Sequence, residues 1–148
     1  MIDEESRLNL DDDRPAVDEF LADFGGELVQ RPEDVNAGVY WVRLHPRRSP
    51  QETYVARVAW PRYPDAAPSV KFAEGVGGSL VVVKAWPNCN GYRPGNFDIC
   101  KPLTAEGFAV HPEWRTGPHA WQTSGNPFLF VVSQLQDDLN HRYQGRAQ

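Results

Sequence analysis

The sequence predicts an α+β fold in which helices pack against one antiparallel sheet. Three observations predict it: a helical spacing of apolar residues near the start, several short β-branched runs joined by brief loops, and a second helical spacing at the end. The chain has 148 residues, of which 41% are hydrophobic and 24% are charged, as is typical of one globular domain. We therefore expect residues 1–148 to form a single domain.

The first predicted element is a helix over residues 15–24. Its apolar residues recur at the spacing of one helix face, and they are Val17, Phe20, Leu21 and Phe24. Asp12 or Asp13 is expected to cap this helix, and Pro15 suits its first turn. The glycine pair at 25–26 is expected to end it.

Residues 1–13 form an acidic N-terminal segment ahead of this helix. Its six acidic residues are Asp3, Glu4, Glu5, Asp11, Asp12 and Asp13. A run of like charges is most often a solvated tail, which is the interpretation that we adopt. The alternative is an acidic patch that faces a basic partner.

Four extended runs after the helix predict an antiparallel β-meander of about four strands. The runs cover residues 27–30, 38–45, 51–60 and 69–72. Residues of the third run alternate, which predicts one face with Tyr54, Ala56, Val58 and Trp60 and another with Val55, Arg57 and Ala59. The linker at 46–50 is expected to be a hairpin turn, and the short apolar run at 80–83 could add a strand.

A long loop and a final helix complete the prediction. Residues 85–125 are rich in Gly, Pro, Asn and Trp, and loops of that length in compact domains are usually functional. Asn126 is a good N-cap, and Pro127 suits the first helical position. The helix after them has a broad apolar face made of Phe128, Leu129, Val131, Val132, Leu135 and Leu139.

Composition argues against several classes of function. The net charge of −5 argues against nonspecific nucleic-acid binding, which needs a basic surface. No apolar run approaches the roughly 20 residues that span a bilayer, and the acidic start lacks the basic and apolar regions of a signal peptide. Two cysteines do not make a disulfide framework, so we expect a cytoplasmic protein with no nucleic-acid or membrane partner.

Cys100 is the residue whose setting points to chemistry. A free cysteine is most often a buried small hydrophobe, but Cys100 lies in a polar loop beside Lys101, whose charge would favour the thiolate. Cys89, His111 and His119 together with Cys100 invite a zinc interpretation. No pair among them has the C-x-x-C spacing of a structural site, so we expect no metal and no cofactor.

The motifs around Cys100 resemble, in their order and placement, the core of the ubiquitin-conjugating enzymes. In that family a strand leads into a Tyr-Pro-x-x-x-Pro loop, then a His-Pro-Asn turn, and then the thiol that carries ubiquitin. This chain has the strand 54–60, Tyr63-Pro64-Asp65-Ala66-Ala67-Pro68, Trp86-Pro87-Asn88 and Ile99-Cys100-Lys101, followed by the helix that Asn126 begins. The resemblance covers nearly the whole chain and indicates a divergent, bacterial member.

The resemblance implies the fold of that family and the activity of a thioester carrier. Cys100 would accept a ubiquitin-like modifier from an activating enzyme and pass it to an amine on a target protein. These three partners would belong to a bacterial ubiquitin-like conjugation system, and the N-terminal helix would dock the activating enzyme. The main alternative is a non-catalytic domain of the same fold that binds a ubiquitin-like protein, although such domains typically lack the cysteine.

Asn88 is expected to assist Cys100. It matches the family's asparagine, to which oxyanion stabilisation is commonly assigned, while Trp86 replaces a histidine whose role is mainly structural. Because 12 residues separate Asn88 from Cys100, more than is usual, Asn90 and Asn96 are alternatives. Asn88 could also only hold a turn.

His111 is the third candidate catalytic residue and has no close counterpart in the family. An imidazole there could tune Cys100 or deprotonate the attacking amine. It could equally be a loop histidine that faces solvent. A small thiol hydrolase that uses Cys100 with His111 is a further alternative, but no oxyanion-loop signature supports it.

Overall fold

The computed structural model, which describes residues 1–148, has a four-stranded antiparallel sheet with helices on one face. The strands are β1 Glu27–Val29, β2 Val39–Leu44, β3 Tyr54–Ala59 and β4 Ser69–Ala73, in the spatial order β1-β2-β3-β4. The helices are α1 Glu4–Asp23, α2 Ala105–Val110 and α3 Pro127–His141. A separate hairpin of β5 Tyr92–Arg93 and β6 Asp98–Ile99 precedes α2. The predicted α+β class, N-terminal helix, four-stranded meander and C-terminal helix are confirmed.

The sheet buries both of its faces, but unequally. Toward the helices, alternate residues of β3 and the residue after it enter the main core, as predicted: Tyr54, Ala56, Val58 and Trp60. The opposite face holds a small cluster of Trp41, Val55 and Ala73. Residues that alternate along a strand point to opposite faces. The side chains of β3 therefore contribute to the main core on one face and to the small cluster on the other.

Residues 80–83 do not form the further strand that their apolar run suggested. After β4 the chain turns, with the Glu74 N–H donating to the Ser79 carbonyl at 3.1 Å, and a 3-10 helix follows at Val83–Ala85. Val76 and Leu80 pack on the small outer cluster. Within the run, Leu80 therefore covers the sheet, Val82 and Val83 pack against the main core, and Val81 is exposed.

Helix α1 begins at Glu4, well before the predicted start at Pro15. Its N-cap is Asp3, whose carboxylate accepts a hydrogen bond from the Ser6 N–H at 2.7 Å. Neither Asp12 nor Asp13 caps the helix, because both lie within it. The acidic segment is thus mostly helical and is not a solvated tail.

The early turns of α1 are stabilised by burial. Its buried residues are Ser6, Leu10, Val17 and Leu21, which share one face at helical spacing. Pro15 lies inside the helix and removes one intrahelical hydrogen bond, a cost that the continued packing offsets. The helix ends before Gly25, which has a φ of +72°, as the glycine pair predicted.

Helix α3 begins as predicted and is joined to α1. The Asn126 side-chain carbonyl accepts a hydrogen bond from the Leu129 N–H at 2.9 Å, and the Asn126 amide donates to the Asp13 carbonyl at 3.0 Å. Tyr63 bridges the same two helices, since its hydroxyl donates to the Asp13 carboxylate and accepts from the Phe128 N–H at 3.1 Å. No helix combines the length and the apolar character needed to cross a bilayer.

Candidate functional site

Cys100 lies at the surface between two residues that anchor it to the core. Ile99 before it and Leu103 after it are 0% and 3% exposed, whereas Cys100 is partly exposed. The Cys100 N–H donates to the carbonyl of Gly91 at 2.8 Å. The backbone that carries this thiol is therefore fixed, while the residue itself is partly exposed.

The β5–β6 hairpin that leads to Cys100 is closed by a tight tip. A 3-10 turn at Pro94–Asn96 suits the proline at its first position, and Phe97 follows in the left-handed region at φ 55°. Lys71 of β4 donates from Nζ to the Phe97 carbonyl at 2.7 Å. The tip is thereby tied to the edge strand of the main sheet.

Helix α2 is packed closely on the loop that follows Cys100. The Thr104 hydroxyl donates to the Ile99 carbonyl at 2.6 Å and accepts from the Gly107 N–H at 2.9 Å, which caps the helix. A Cβ at Gly107 would lie 2.1 Å from the Lys101 carbonyl oxygen. Only glycine allows this approach. The Glu106 carboxylate accepts hydrogen bonds from the Ser69 hydroxyl at 2.5 Å and from the Val70 N–H at 3.2 Å. These bonds join α2 to β4.

The two thiols of the chain have different environments. Cys89 is buried, with its Sγ 3.9 Å from the Asp138 carbonyl oxygen. Burial, and next the negative charge of Asp138, raise the pKa of Cys89 to about 12. Because the thiolate is the nucleophilic form, Cys89 is unreactive at neutral pH. Cys100 is the thiol in reach of a second protein.

Charged residues surround Cys100 differently from what the sequence predicts. Lys101 Nζ donates to Asp138 Oδ1 at 2.8 Å, so its ammonium is engaged by a buried carboxylate instead of being free beside the thiol. Arg93 forms a two-bond pair with Asp98 at 2.8 and 2.6 Å. Those hydrogen bonds raise the pKa of Arg93, and the charge of a Cys100 thiolate adds to the rise. Arg93 is therefore engaged by a carboxylate, as Lys101 is.

Asn88 is held by its backbone and has a free side-chain amide. Its N–H donates to the Gly145 carbonyl at 2.8 Å, and its carbonyl accepts from the Gln144 N–H at 2.8 Å. Residues 144–147, which we call the C-terminal strap, thus pair with the Trp86-Pro87-Asn88 turn. No hydrogen bond within the chain uses the amide of Asn88, which is half-buried. The alternatives Asn90 and Asn96 are exposed.

Trp86, which stands where the resembled family has histidine, is a core residue. It is 0% exposed, and its ring lies edge-on to Phe72 with the centroids 5.3 Å apart. Its indole N–H has no hydrogen-bond partner. The side chain therefore supports the turn by packing alone.

His111 caps the far end of α2 and interacts with its own neighbours. Its Nδ1 lies 2.8 Å from a Glu113 carboxylate oxygen, and its ring stacks on Trp114 with the centroids 4.1 Å apart. No hydrogen bond or ring contact joins His111 to Cys100. The ring centroid of His119 lies 5.7 Å from that of the same tryptophan.

Sequence reasoning missed Asp138 and Tyr92, which lie beside the Cys100 loop. The Tyr92 hydroxyl donates to Asp138 Oδ2 at 2.9 Å, and both residues are buried. One signal was available, because Asp138 interrupts the apolar face of α3 between Leu135 and Leu139. A carboxylate on a buried helix face needs a partner, but the sequence does not say which one.

Comparisons with protein-family models, with curated proteins and with solved structures find no match for this chain. Its function is therefore inferred from its own residues and from the order of its motifs.

Proposed function

We propose that the protein is a thioester carrier of the ubiquitin-conjugating-enzyme type, with Cys100 as the acceptor. One observation carries the proposal: Cys100 is a partly exposed thiol on a fixed backbone, between the buried residues Ile99 and Leu103. The other thiol, Cys89, is buried, with its pKa raised to about 12 by burial. The chain thus offers a single thiol to a partner.

The reaction has two acyl-transfer steps. In the first, the Cys100 thiolate attacks the thioester that joins a ubiquitin-like modifier to its activating enzyme, a new carbon–sulfur bond forms, and the enzyme's thiolate leaves. In the second, an amine of a target protein attacks the new thioester. A carbon–nitrogen bond forms, the amine loses a proton to solvent, and the Cys100 thiolate leaves.

Asn88 is proposed to donate a hydrogen bond to the oxyanion of the second step. Two observations support this role: its backbone is paired on both sides with the C-terminal strap, and its amide has no partner within the chain. The paired backbone limits where the amide can lie, and a positioned donor stabilises the developing charge of an oxyanion. His111 receives no role, because its imidazole is paired with Glu113 and stacked on Trp114.

The wider fold and setting agree with this activity. An N-terminal helix, a four-stranded meander, a long loop with the thiol and a C-terminal helix follow one another in the order of the resembled family. We propose that the fold is that of the ubiquitin-conjugating enzymes and that the protein works in the cytoplasm. A reducing compartment keeps Cys100 a free thiol.

The proposal is tested by charging the protein with a modifier. The purified protein is incubated with a bacterial activating enzyme, its ubiquitin-like modifier and ATP, and the products are separated with and without reductant. We expect an adduct that reductant removes, that Cys100→Ser abolishes or converts to a stable ester, and that Cys89→Ser retains. If the modifier binds but no adduct forms on Cys100, the domain is a binding module and not a carrier.

A further inference from the structure

Asp138 of α3 is a buried carboxylate that contacts the segment carrying Cys100. It is 1% exposed. Its Oδ1 accepts from Lys101 Nζ at 2.8 Å and from Arg142 Nη1 at 3.4 Å, and its Oδ2 accepts from the Tyr92 hydroxyl at 2.9 Å. Its backbone carbonyl faces the Cys89 sulfur at 3.9 Å. All these partners except Arg142 belong to the segment that carries Cys100.

These contacts lie close to Cys100 along the chain and across the β5–β6 hairpin. Lys101 is the residue directly after it. Tyr92 pairs in register with Ile99, the residue directly before it. Between these two positions, the Cys100 N–H is bound to the Gly91 carbonyl at 2.8 Å. A single carboxylate therefore binds the residue after the thiol and the strand partner of the residue before it.

Helix α3, which is packed into the main core, holds that carboxylate in place. Leu135 and Leu139, on either side of Asp138 along the buried face, are 0% and 2% exposed and belong to the main core. Burial, and next the charge of Asp138, raise the pKa of Tyr92 well above its ordinary value. Its hydroxyl therefore stays protonated and remains a donor to Asp138.

We propose that Asp138 is a positioning residue for Cys100, which sets the direction from which the thiol meets an incoming acyl group. This inference rests on the proposed function. Acyl transfer between two large molecules needs a fixed orientation of the reacting sulfur, and a misplacement of about 1 Å can cost a factor of about one hundred. A small alkylating reagent that diffuses freely does not need that orientation.

The test compares two reactions of the same sulfur. Acyl transfer is measured with a ubiquitin-like modifier protein that carries a thioester at its C-terminal glycine, and alkylation is measured with iodoacetamide. The variant is Asp138→Asn, and the matched control is Asp137→Asn, which removes an exposed carboxylate from the adjacent position of α3. We expect Asp138→Asn to slow acyl transfer by at least about tenfold while alkylation changes little. Asp137→Asn should leave both rates unchanged.

Two further variants keep the test decisive if Asp138→Asn does not fold. Lys101→Met with Asp138→Asn removes both charges of the pair, so no charge of that pair is left buried and unpaired. Tyr92→Phe removes only the hydroxyl. Both should slow acyl transfer more than alkylation.

The possible outcomes separate the inference from the function it depends on. If wild-type protein takes the acyl group on Cys100 but the variants transfer at the wild-type rate, Asp138 does not position the thiol. A parallel fall of both reactions would also overturn the inference, because it would indicate a general loss of structure. If wild-type Cys100 accepts no acyl group while it is still alkylated, the proposed function fails, and the positioning role with it.

Discussion

Cys89 and Cys100 have the same side chain, and their surroundings make them different reagents. Cys89 is enclosed by α3 and the β5–β6 hairpin, where burial raises its pKa to about 12. Cys100 stands one residue beyond β6, where the chain reaches the surface between two core anchors. A reactive cysteine is partly exposed, so Cys100 is the better candidate nucleophile of the two.

The free amide of Asn88 leads to a prediction on the second transfer step. Asn88→Ala should load a modifier at nearly the wild-type rate but discharge it to free lysine at least about tenfold more slowly, because its proposed hydrogen bond acts on the oxyanion that forms when the amine attacks. Losing one oxyanion donor typically costs about 2.7–4 kcal/mol in the transition state. Single-turnover discharge of the preloaded protein measures this rate. Unchanged discharge would assign the oxyanion role to another donor, with Asn90→Ala and Asn96→Ala as the next variants.

Sequence reasoning identified Cys100 through its neighbours but could not identify the charges around it. Lys101 was expected to favour the thiolate because it is adjacent in sequence, yet its side chain extends to Asp138. Arg93, seven positions before Cys100 in the sequence, is bound in turn by Asp98 through two hydrogen bonds. Adjacent residues often point apart, and a partner supplied by a distant element leaves no mark in the local pattern.

The N-cap of α1 allows a prediction with a defined pH dependence. Hydrogen bonds from Ser6 lower the pKa of Asp3 below its ordinary value of 3.8. A carboxylate whose pKa is lower in the folded state stabilises the fold above its ordinary pKa and loses that effect as the pH falls through the lowered value. Asp3→Ala should therefore lower the melting temperature at neutral pH, and the difference from wild type should narrow at about pH 2.

Asp12→Ala is the control for this cap. Asp12 is one of the two caps that the sequence predicts, but it lies exposed within the helix, so its removal should leave the melting temperature nearly unchanged at both pH values. Destabilisation by Asp12→Ala and none by Asp3→Ala would indicate that the helix begins near Pro15.

A second prediction for an element concerns the packing of α2 on the Cys100 loop. Gly107→Ala places a methyl group 2.1 Å from the Lys101 carbonyl oxygen, so the loop must move. Overpacking of this kind typically costs about 1–3 kcal/mol, and we expect a loss of that size in denaturant unfolding together with slower loading of Cys100. Gly95→Ala is the matched control, since nothing lies within 4 Å of the added carbon. Equal behaviour of the two variants would contradict this packing.

The elements differed in how far their sequences determined them. Helix α3 was predicted from its first residue, because Asn126 and Pro127 are strong local signals. The start of α1 differs from the prediction. Pro15 suits a first turn, but an exposed proline is also tolerated inside a helix whose other face is buried. The run at 80–83 is compatible with a strand in the sequence, because a short apolar run looks the same whether it forms hydrogen bonds with a neighbouring strand or only packs its side chains on the core.

Across the whole molecule, negative charge is concentrated on α1. The exposed acidic residues of this helix include Asp11, Asp12, Asp18, Glu19 and Asp23, within a chain of net charge −5. If α1 docks the activating enzyme, the partner surface should be basic. Association should then weaken as salt rises.

Charge reversal tests this docking surface. Asp18→Lys with Glu19→Lys should slow loading of Cys100 without unfolding the protein, because exposed substitutions rarely cost more than about 0.5 kcal/mol. Glu33→Lys with Glu74→Lys is the control, since both residues are exposed outside α1 and the net charge changes equally. Loading rates are compared at low and high salt. If loading is insensitive to salt and to the α1 reversals, docking uses another face.

The assembly of the site is the part of the molecule that the sequence did not reveal. The C-terminal strap pairs with the turn of Asn88 across more than fifty residues, through backbone hydrogen bonds that any residue except proline can donate. Asp138 likewise connects distant segments, because its side chain on α3 accepts hydrogen bonds from the side chains of Lys101 and Tyr92. Local periodicity predicts elements, but which distant segments meet is decided by the packing of the whole core.

The proposed carrier role of Cys100 can be tested by one measurement that needs no partner protein. The wild-type protein is incubated with a glycine-terminated peptide thioester at neutral pH, digested, and analysed by mass spectrometry to locate the transferred acyl group. We expect the acyl mass on Cys100, removable by added thiol, and none on Cys89. An acyl group on Cys89, or no acylation of Cys100 in protein whose Cys100 iodoacetamide still alkylates, would contradict that role.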